Sequence, residues 1–219
     1  MAKFDKIAVV GAGAWGSALS IILSRNAGNV AVWAREREVA DAVAKKRENS
    51  VFLPDIKFPE NVSFFNDPDP VLSGAEMVVW VMPIQYLSGT AKNFSAHIKD
   101  GALMINAGKG IEIGTWRRPS QILAQSVPQA KACGSIMGPN IAFEVALGKY
   151  AEAVVALDDH ADAVKAAAAF TTDTFKVRPS DDVVGVEIGA ALKNIVALAA
   201  GFCDGMKLGA NTKSIVMAR

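Results

Sequence analysis

The chain is expected to be an α/β protein, a doubly wound, mostly parallel sheet followed by one long helix. Three observations carry this. Short apolar runs suited to buried strands alternate with segments of helical period up to about Ser180. The chain opens on the run Ile7-Ala8-Val9-Val10-Gly11-Ala12-Gly13-Ala14-Trp15-Gly16, in which a strand, a glycine turn and a helix follow one another directly. After Ser180-Asp181-Asp182 the alternation stops, and Val183 to Met206 continues with few breakers and almost no charge.

Taken in order, strands are expected at Ile7–Val10, Val30–Trp33, Met77–Val81, Leu103–Asn106, Ser135–Met137, Ala153–Ala156 and Phe175–Val177. Helices are expected at Trp15–Asn26, Arg37–Arg47, Tyr86–Phe94, Pro119–Gln125, Ile141–Leu147 and Ala161–Phe170. Asn49 to Asp69 is rich in Pro, Asn and Asp and reads as a long irregular connection, the kind that is often functional. Asp181 or Asp182 suits the N-cap of the last helix. That helix reads as buried, with Gly185, Gly189 and Ala190 giving it a thin face for close packing. Lys193 and Asn194 at its middle are costly for a membrane span, so a core helix at a domain or dimer interface is expected. Residues 1–180 are assigned to one domain and 181–219 to the start of another.

Composition narrows the function. The 219 residues are 51% hydrophobic and carry a net charge of +1, which argues against nucleic acid or an anionic membrane as the main partner. Ile7 to Ser24 is uncharged, but its glycines, serines and Trp15, behind the mixed flank Lys3, Asp5, Lys6, make a poor signal sequence. Cys133 and Cys203 lie in no metal-ligand or Cys-x-x-Cys spacing and read as buried, reduced thiols of a cytoplasmic protein. His97 and His160 fall in polar stretches and are given no chemistry; no metal site is expected.

Within the opening motif each glycine has its own task. Gly11 makes the tight turn, Gly13 lets the backbone approach a pyrophosphate, and Gly16 lets the helix pack close to the strand. The phosphates sit at the positive end of the helix, against unpaired backbone N–H groups. The strand-turn-helix context makes this a Rossmann-like dinucleotide site. At the tip of the second strand an acidic residue would bind a ribose 2′-hydroxyl, whereas here Arg35 can pair a 2′-phosphate. Glu36 either neutralises Arg35 or points away, so NADP is favoured and NAD stays open.

Three further positions carry candidate chemistry. Lys109, in Asn106-Ala107-Gly108-Lys109-Gly110, follows a buried strand at the carboxyl edge of the sheet and suits polarising a carbonyl or holding an anion. Met137-Gly138-Pro139-Asn140 is a second strand-to-helix turn, with Pro139 at a first helical position; taken alone, it suits an ordinary helix start better than an oxygen site. Lys193, enclosed by Ala190, Ala191, Ile195 and Ala197, is expected to be desolvated and tuned toward a neutral amine that passes a proton. Asn194 beside it suggests a shared site.

Together these segments resemble the NAD(P)-dependent glycerol-3-phosphate dehydrogenases of the bacterial type, along the whole chain. Gly11 to Ser17 is similar to the family fingerprint, and Asn49-Ser50-Val51-Phe52-Leu53-Pro54 to its Asn-x-x-Tyr-Leu-Pro connection. Lys109-Gly110-Ile111-Glu112 is similar to the lysine turn, and Ser180 to Glu187 with Ala191-Leu192-Lys193-Asn194 to the catalytic helix. The resemblance implies reduction of dihydroxyacetone phosphate to sn-glycerol 3-phosphate for phospholipid synthesis, by hydride transfer from NAD(P)H. It implies cofactor contacts from Ala14, Trp15, Arg35, Glu36, Phe52, Lys109 and Ala142. It implies substrate contacts from Lys109, Gly138, Asn140, Lys193 and Asn194, with Lys193 as proton donor and Lys109 orienting the carbonyl.

Two departures qualify the resemblance. Asn140 stands where the family usually has serine. Family members continue beyond Arg219 into an all-helical domain that holds an assisting aspartate and a Ser-Arg-Asn run gripping phosphate and cofactor, so the chain is expected to be a fragment that starts this domain. The alternatives are a ketopantoate- or hydroxyacid-reductase relative within the 6-phosphogluconate dehydrogenase-like superfamily, and a cofactor-binding module without catalysis. The apolar long helix is expected to serve as a homodimer face.

Overall fold

The computed structural model describes residues 4–218; Lys3 and Arg219, which entered the reading above, lie outside them. In chain order the elements are β1 (Phe4–Val10), α1 (Ala14–Leu23), β2 (Ala27–Trp33), α2 (Arg37–Lys46), β3 (Glu48–Asn49), β4 (Leu53–Lys57), β5 (Val62–Phe65), α3 (Asp69–Leu72), β6 (Met77–Trp80) and α4 (Ile84–Phe94). They continue with β7 (Leu103–Asn106), α5 (Pro119–Ser126), β8 (Ala132–Met137), α6 (Ala142–Ala146), β9 (Ala151–Ala156), α7 (His160–Phe170), β10 (Phe175–Ser180), α8 (Val183–Gly205) and α9 (Gly209–Ala218).

Eight strands form the main sheet in the order β10-β9-β8-β7-β6-β1-β2-β5. Every neighbouring pair in it is parallel except β8 and β9, which run antiparallel. The strands read as unbroken apolar runs because both faces of the sheet are covered. Ile7, Val9, Val30, Val32, Met77, Val79 and Ile105 enter one buried cluster, while the alternating Ala8, Val10, Ala31, Val78, Trp80 and Met104 enter the other. Each fully buried Val or Ile stabilises the fold by roughly 1.5–3 kcal/mol. From β1 the chain winds outward through β2 to β5, and from β6 the other way through β7 to β8. The carboxyl ends of β1 and β6 therefore flank the point where the winding reverses, the place where such sheets bind ligands.

The segment Asn49 to Asp69 is not irregular. It holds β4, which pairs antiparallel with β3, and β5, which adds a strand beside β2 with Val30 opposite Val62 and Val32 opposite Phe64. Val62 and Phe64 are buried while Ser63 is exposed, an edge-strand alternation too short to outweigh the Pro and Asn around it. Helix α1 stops at Leu23, three residues before the expected end; the Asn26 amide instead donates to the carbonyls of Ala169 (3.2 Å) and Thr171 (2.7 Å).

The long helix forms at the expected residues, and Asp182 rather than Asp181 caps it, accepting from the Gly185 N–H at 2.7 Å. It is not buried, however. Only Val183, Glu187 and Cys203 of α8 are buried, because α8 packs against β8, β9 and α9 alone among the major elements. The thin packing face is also absent: a side chain at Gly185 would strike the capping carboxylate of Asp182, and Gly189 faces open space. By length and hydropathy Val183–Gly205 would cross a bilayer, although Glu187 and Lys193 lie within it and Glu187 is tied into the sheet. Of the two free thiols, Cys203 is buried and Cys133 half-buried; burial, and secondarily the charges of Asp158 and Glu187, push the Cys133 thiol up to about 12.

Candidate active site

At the carboxyl ends of β1 and β6 lies a cavity of about 340 Å³, lined among others by Gly11, Gly13, Trp33, Arg35, Phe52, Met82 and Tyr86. The glycines divide their work as their positions require. Gly11 has φ +123°, and a β-carbon there would stand 2.1 Å from the Val81 carbonyl oxygen. At Gly16 a β-carbon would stand 1.9 Å from the Gly11 oxygen, so helix and turn touch backbone to backbone. Gly13 alone meets nothing, and its missing side chain leaves open space on the cavity side of the turn. Helix α1 begins there without a side-chain cap or an acidic residue, so among the described residues the N–H groups of its first turn have no side-chain capping partner. An open glycine face over an uncapped helix start fits a pyrophosphate.

The connection after α2 closes over this turn. Buried Asn49 donates to the Ala12 carbonyl (2.8 Å) and to Ser17 Oγ (2.9 Å), and its Oδ1 accepts from the Phe52 N–H (3.2 Å). Phe52 is thereby held at the cavity wall, partly exposed. Arg35 and Glu36 line the same cavity. The Arg35 guanidinium donates from Nε (2.8 Å) and Nη2 (2.5 Å) to Glu36 Oε1, so the first of the two sequence-level options, neutralisation, is the one adopted.

A second cavity of about 230 Å³ adjoins, lined by Trp15, Ala107, Lys109, Ile136, Met137, Gly138 and Asn140. Lys109 Nζ donates to the Gly138 carbonyl at 3.1 Å. Its ammonium is held below the usual lysine range, chiefly by partial burial and then by the charge of Lys193, which stands beside it. The structure thus brings the two candidate catalytic lysines together from segments far apart in sequence. Lys193 itself is exposed on α8, not enclosed as expected; its expected neighbours Ala190, Ala191, Ile195 and Ala197 lie on the same helix, and Ile195 is 61% exposed.

The remaining candidates divide. Gly138 packs against β9, where a β-carbon would stand 2.5 Å from the Glu152 oxygen. Asn140 spends its Nδ2 on that same Glu152 carbonyl (2.9 Å), while its buried Oδ1 has no hydrogen-bond partner among the described residues. Ala14 is the first residue of α1, and Ala142 opens α6, which packs on α1; neither lines these two cavities. Asn194 lines a separate apolar trough along α8 with Leu198, Phe202 and Met206. Sequence reasoning missed Met82, Pro83, Tyr86 and Thr90, which wall the first cavity. Their signal was available: they follow a buried strand beside β1, at the carboxyl edge. It also missed the polar partners Asn106, Ser135 and Glu187, whose signal is their burial and is absent from the sequence.

Lys109 is held at its turn by neighbours on both sides. Gly108 must be glycine, since a β-carbon there would lie 2.4 Å from the Met82 oxygen. Farther along, Glu112 accepts from Thr115 and from Arg117 Nε (2.9 Å), and these bonds hold its carboxyl below the usual range.

Fold and site define a doubly wound nucleotide-fold protein, with a glycine turn facing one cavity and Lys109 lining a second. Residues 6–163 match the family model described as NAD-dependent glycerol-3-phosphate dehydrogenase N-terminus, and residues 182–219 match the corresponding C-terminus model. The chain belongs to the NAD-dependent glycerol-3-phosphate dehydrogenase family. It is 39% identical over 217 residues to glycerol-3-phosphate dehydrogenase [NAD(P)+] of Citrifermentans bemidjiense, covering 98% of this chain and 65% of that protein. Solved structures of glycerol-3-phosphate dehydrogenase from Coxiella burnetii (TM-score 0.85, 28% identity, 98% of this chain and 65% of that one) and Saccharomyces cerevisiae (0.88, 26%, 98% and 67%) share the fold. The chain spans about 65% of the length of the curated relatives it matches.

Proposed function

We propose that the chain holds NAD(P)H and takes part in reducing dihydroxyacetone phosphate to sn-glycerol 3-phosphate, a step toward phospholipids in the cytoplasm. The observation that carries this is Lys109 lining the cavity next to the glycine turn, with Lys193 of α8 close enough to act on its charge. Two adjacent ammonium groups favour an anionic ligand and a carbonyl oxygen that gains negative charge during reaction. When bound, the nicotinamide supplies a hydride to the carbonyl carbon. Lys193 gives a proton to the carbonyl oxygen, leaving a neutral amine and an alcohol. Lys109, with its depressed ammonium, hydrogen-bonds the same oxygen and turns toward Gly138 in the free protein. Residues 1–180 act as the cofactor domain and 181–219 as the start of the substrate domain.

Incubating the chain with dihydroxyacetone phosphate and NADPH and following loss of reduced-nicotinamide absorbance tests the reading directly. Turnover supports it. Quenching of tryptophan fluorescence by NADPH without turnover would reduce the chain to a binding module, and the absence of both signals would overturn the proposal.

Cofactor preference follows from the pair at positions 35 and 36. Glu36 competes with a 2′-phosphate for the Arg35 fork, so freeing the fork should strengthen NADPH more than NADH. Glu36→Gln is expected to tighten NADPH binding several-fold, and Arg35→Ala to weaken it about tenfold, the scale of one charge-assisted contact. NADH affinity should stay within about twofold in both. Fluorescence titrations of each variant with the two cofactors read the difference.

A further inference from the structure

Glu187 is the most deeply placed charge on α8, with only 2% of its surface exposed. Its carboxylate takes four donors. Oε1 accepts from the Ser120 N–H (2.8 Å) and Ser135 Oγ (2.7 Å), and Oε2 from Arg118 Nη1 (2.7 Å) and Ser120 Oγ (2.9 Å). The chain of bonds does not stop there. Ser135 Oγ, at the sheet, accepts from Asn106 Nδ2 at 3.2 Å. Asn106 ends β7, and its amide clasps the next turn: Nδ2 donates to the Gly108 carbonyl (2.7 Å) and Oδ1 accepts from the Gly108 N–H (3.1 Å). Gly108 immediately precedes Lys109. On the other side, Glu187 lies six residues, about 9 Å of helix rise, before Lys193.

We propose that Glu187 is a positioning residue: through Ser135 and Asn106 it registers α8 against the turn after β7, so that Lys193 meets Lys109. The inference rests on the paired-lysine reading above. An ion pair with Arg118 alone would fasten the helix to the segment before α5. The link through Ser135 adds something else, because it ties the helix to the backbone that carries Lys109. The apolar side of α8 cannot set this register, since among the described residues only Val183 and Cys203 are buried with Glu187 along it. A rotation or slide of α8 would break bonds made to both carboxylate oxygens, whereas apolar contacts would tolerate a small slip. The titratable groups facing the carboxylate are Arg118, from the segment before α5, and Cys133 of β8; the one facing Lys109 is Lys193.

The test uses the chain with isotope-labelled lysine side chains and follows the titration of Lys109 by NMR, alongside NADPH binding by tryptophan fluorescence. Three variants are compared with the parent: Glu187→Gln, Ser135→Ala and Lys193→Ala. Ser135→Ala cuts only the link to Asn106 and leaves the Arg118 pair, so it carries the test even if Glu187→Gln does not fold. Lys193→Ala removes the neighbouring charge and should raise the Lys109 midpoint by roughly half a pH unit or more. Glu187→Gln and Ser135→Ala are expected to raise it in the same direction, because the two ammonium groups drift apart, while NADPH binds within about twofold of the parent. Loss of stability without a change at Lys109 is what a merely structural carboxylate would produce, and it would overturn the proposal. If Lys193→Ala itself leaves Lys109 unmoved, the paired-lysine reading fails, and the positioning role with it; movement in Lys193→Ala but in neither other variant sinks the positioning role alone.

Discussion

Replacing Lys193 with Ala is expected to lower turnover by about 10²–10⁴-fold, the usual contribution of a positioned proton donor, with NADPH affinity unchanged. The split follows from geometry. Lys193 acts on Lys109, which lines the second cavity, and is not among the residues that line the first, where the glycine turn, Arg35 and Phe52 stand. Activity in the presence of dihydroxyacetone phosphate and a fluorescence titration with NADPH measure the two halves separately. Intact catalysis would remove Lys193 from the proton step.

The same substitution changes how stability depends on pH. Lys109 holds its proton less tightly in the folded chain than in the unfolded one, where the ordinary value is 10.5. The unfolded chain therefore binds more protons in the window between the two values, and stability rises with pH across it. Below the folded value the unfavourable contribution is fully present. Lys193→Ala relieves part of it, so the window should narrow and the rise in melting temperature across it should shrink. Thermal unfolding at a series of alkaline pH values reads this.

The second large effect separates two glycines three residues apart. Gly16→Ala is expected to destabilise by roughly 3 kcal/mol or more, at the upper end of overpacking, because the added carbon would stand 1.9 Å from a backbone oxygen that has nowhere to go. For a chain of this size that is a fall in melting temperature of roughly 6–12 °C. Gly13→Ala should do the reverse. Gly13 has φ −68°, which alanine adopts freely, and no atom lies within 4 Å of the added carbon. Its melting temperature should move by no more than about 2 °C. The new methyl, however, stands where a pyrophosphate would approach the helix start, and NADPH affinity should fall at least about tenfold. Melting curves and cofactor titrations on the pair give opposite patterns, and a Gly13→Ala protein that binds NADPH normally would remove the phosphates from this turn.

That contrast also shows why the glycine turn was legible from sequence. The turn at Gly11, the open face at Gly13 and the close approach of Gly16 to Gly11 are set within six residues, by a strand and helix that are contiguous in the chain; only the packing of Gly11 on the Val81 carbonyl comes from elsewhere. The strands of the sheet interior were legible for a related reason, since burial on both faces writes an unbroken apolar run. β5 was not, because an edge strand needs only Val62 and Phe64 inside, and the surrounding Pro and Asn dominate the pattern. The Arg35–Glu36 pairing also lay open, because neighbouring charges at a strand tip face each other or diverge depending on where α2 starts.

By itself, then, the sequence determined the alternation of strands and helices, the three-glycine turn, Lys109 at the edge of the sheet and the span of α8. These follow from periodicity and local backbone stereochemistry. Only the tertiary structure decided that Lys109 and Lys193 come close from separate segments, that α8 is open along most of its length, and that Glu187 is its buried anchor. Glu187 meets Ser135, Ser120 and Arg118 across 52, 67 and 69 residues. Which polar side chain loses water, and which partner repays it, depends on what the fold places against it, and no local pattern in the chain carries that information.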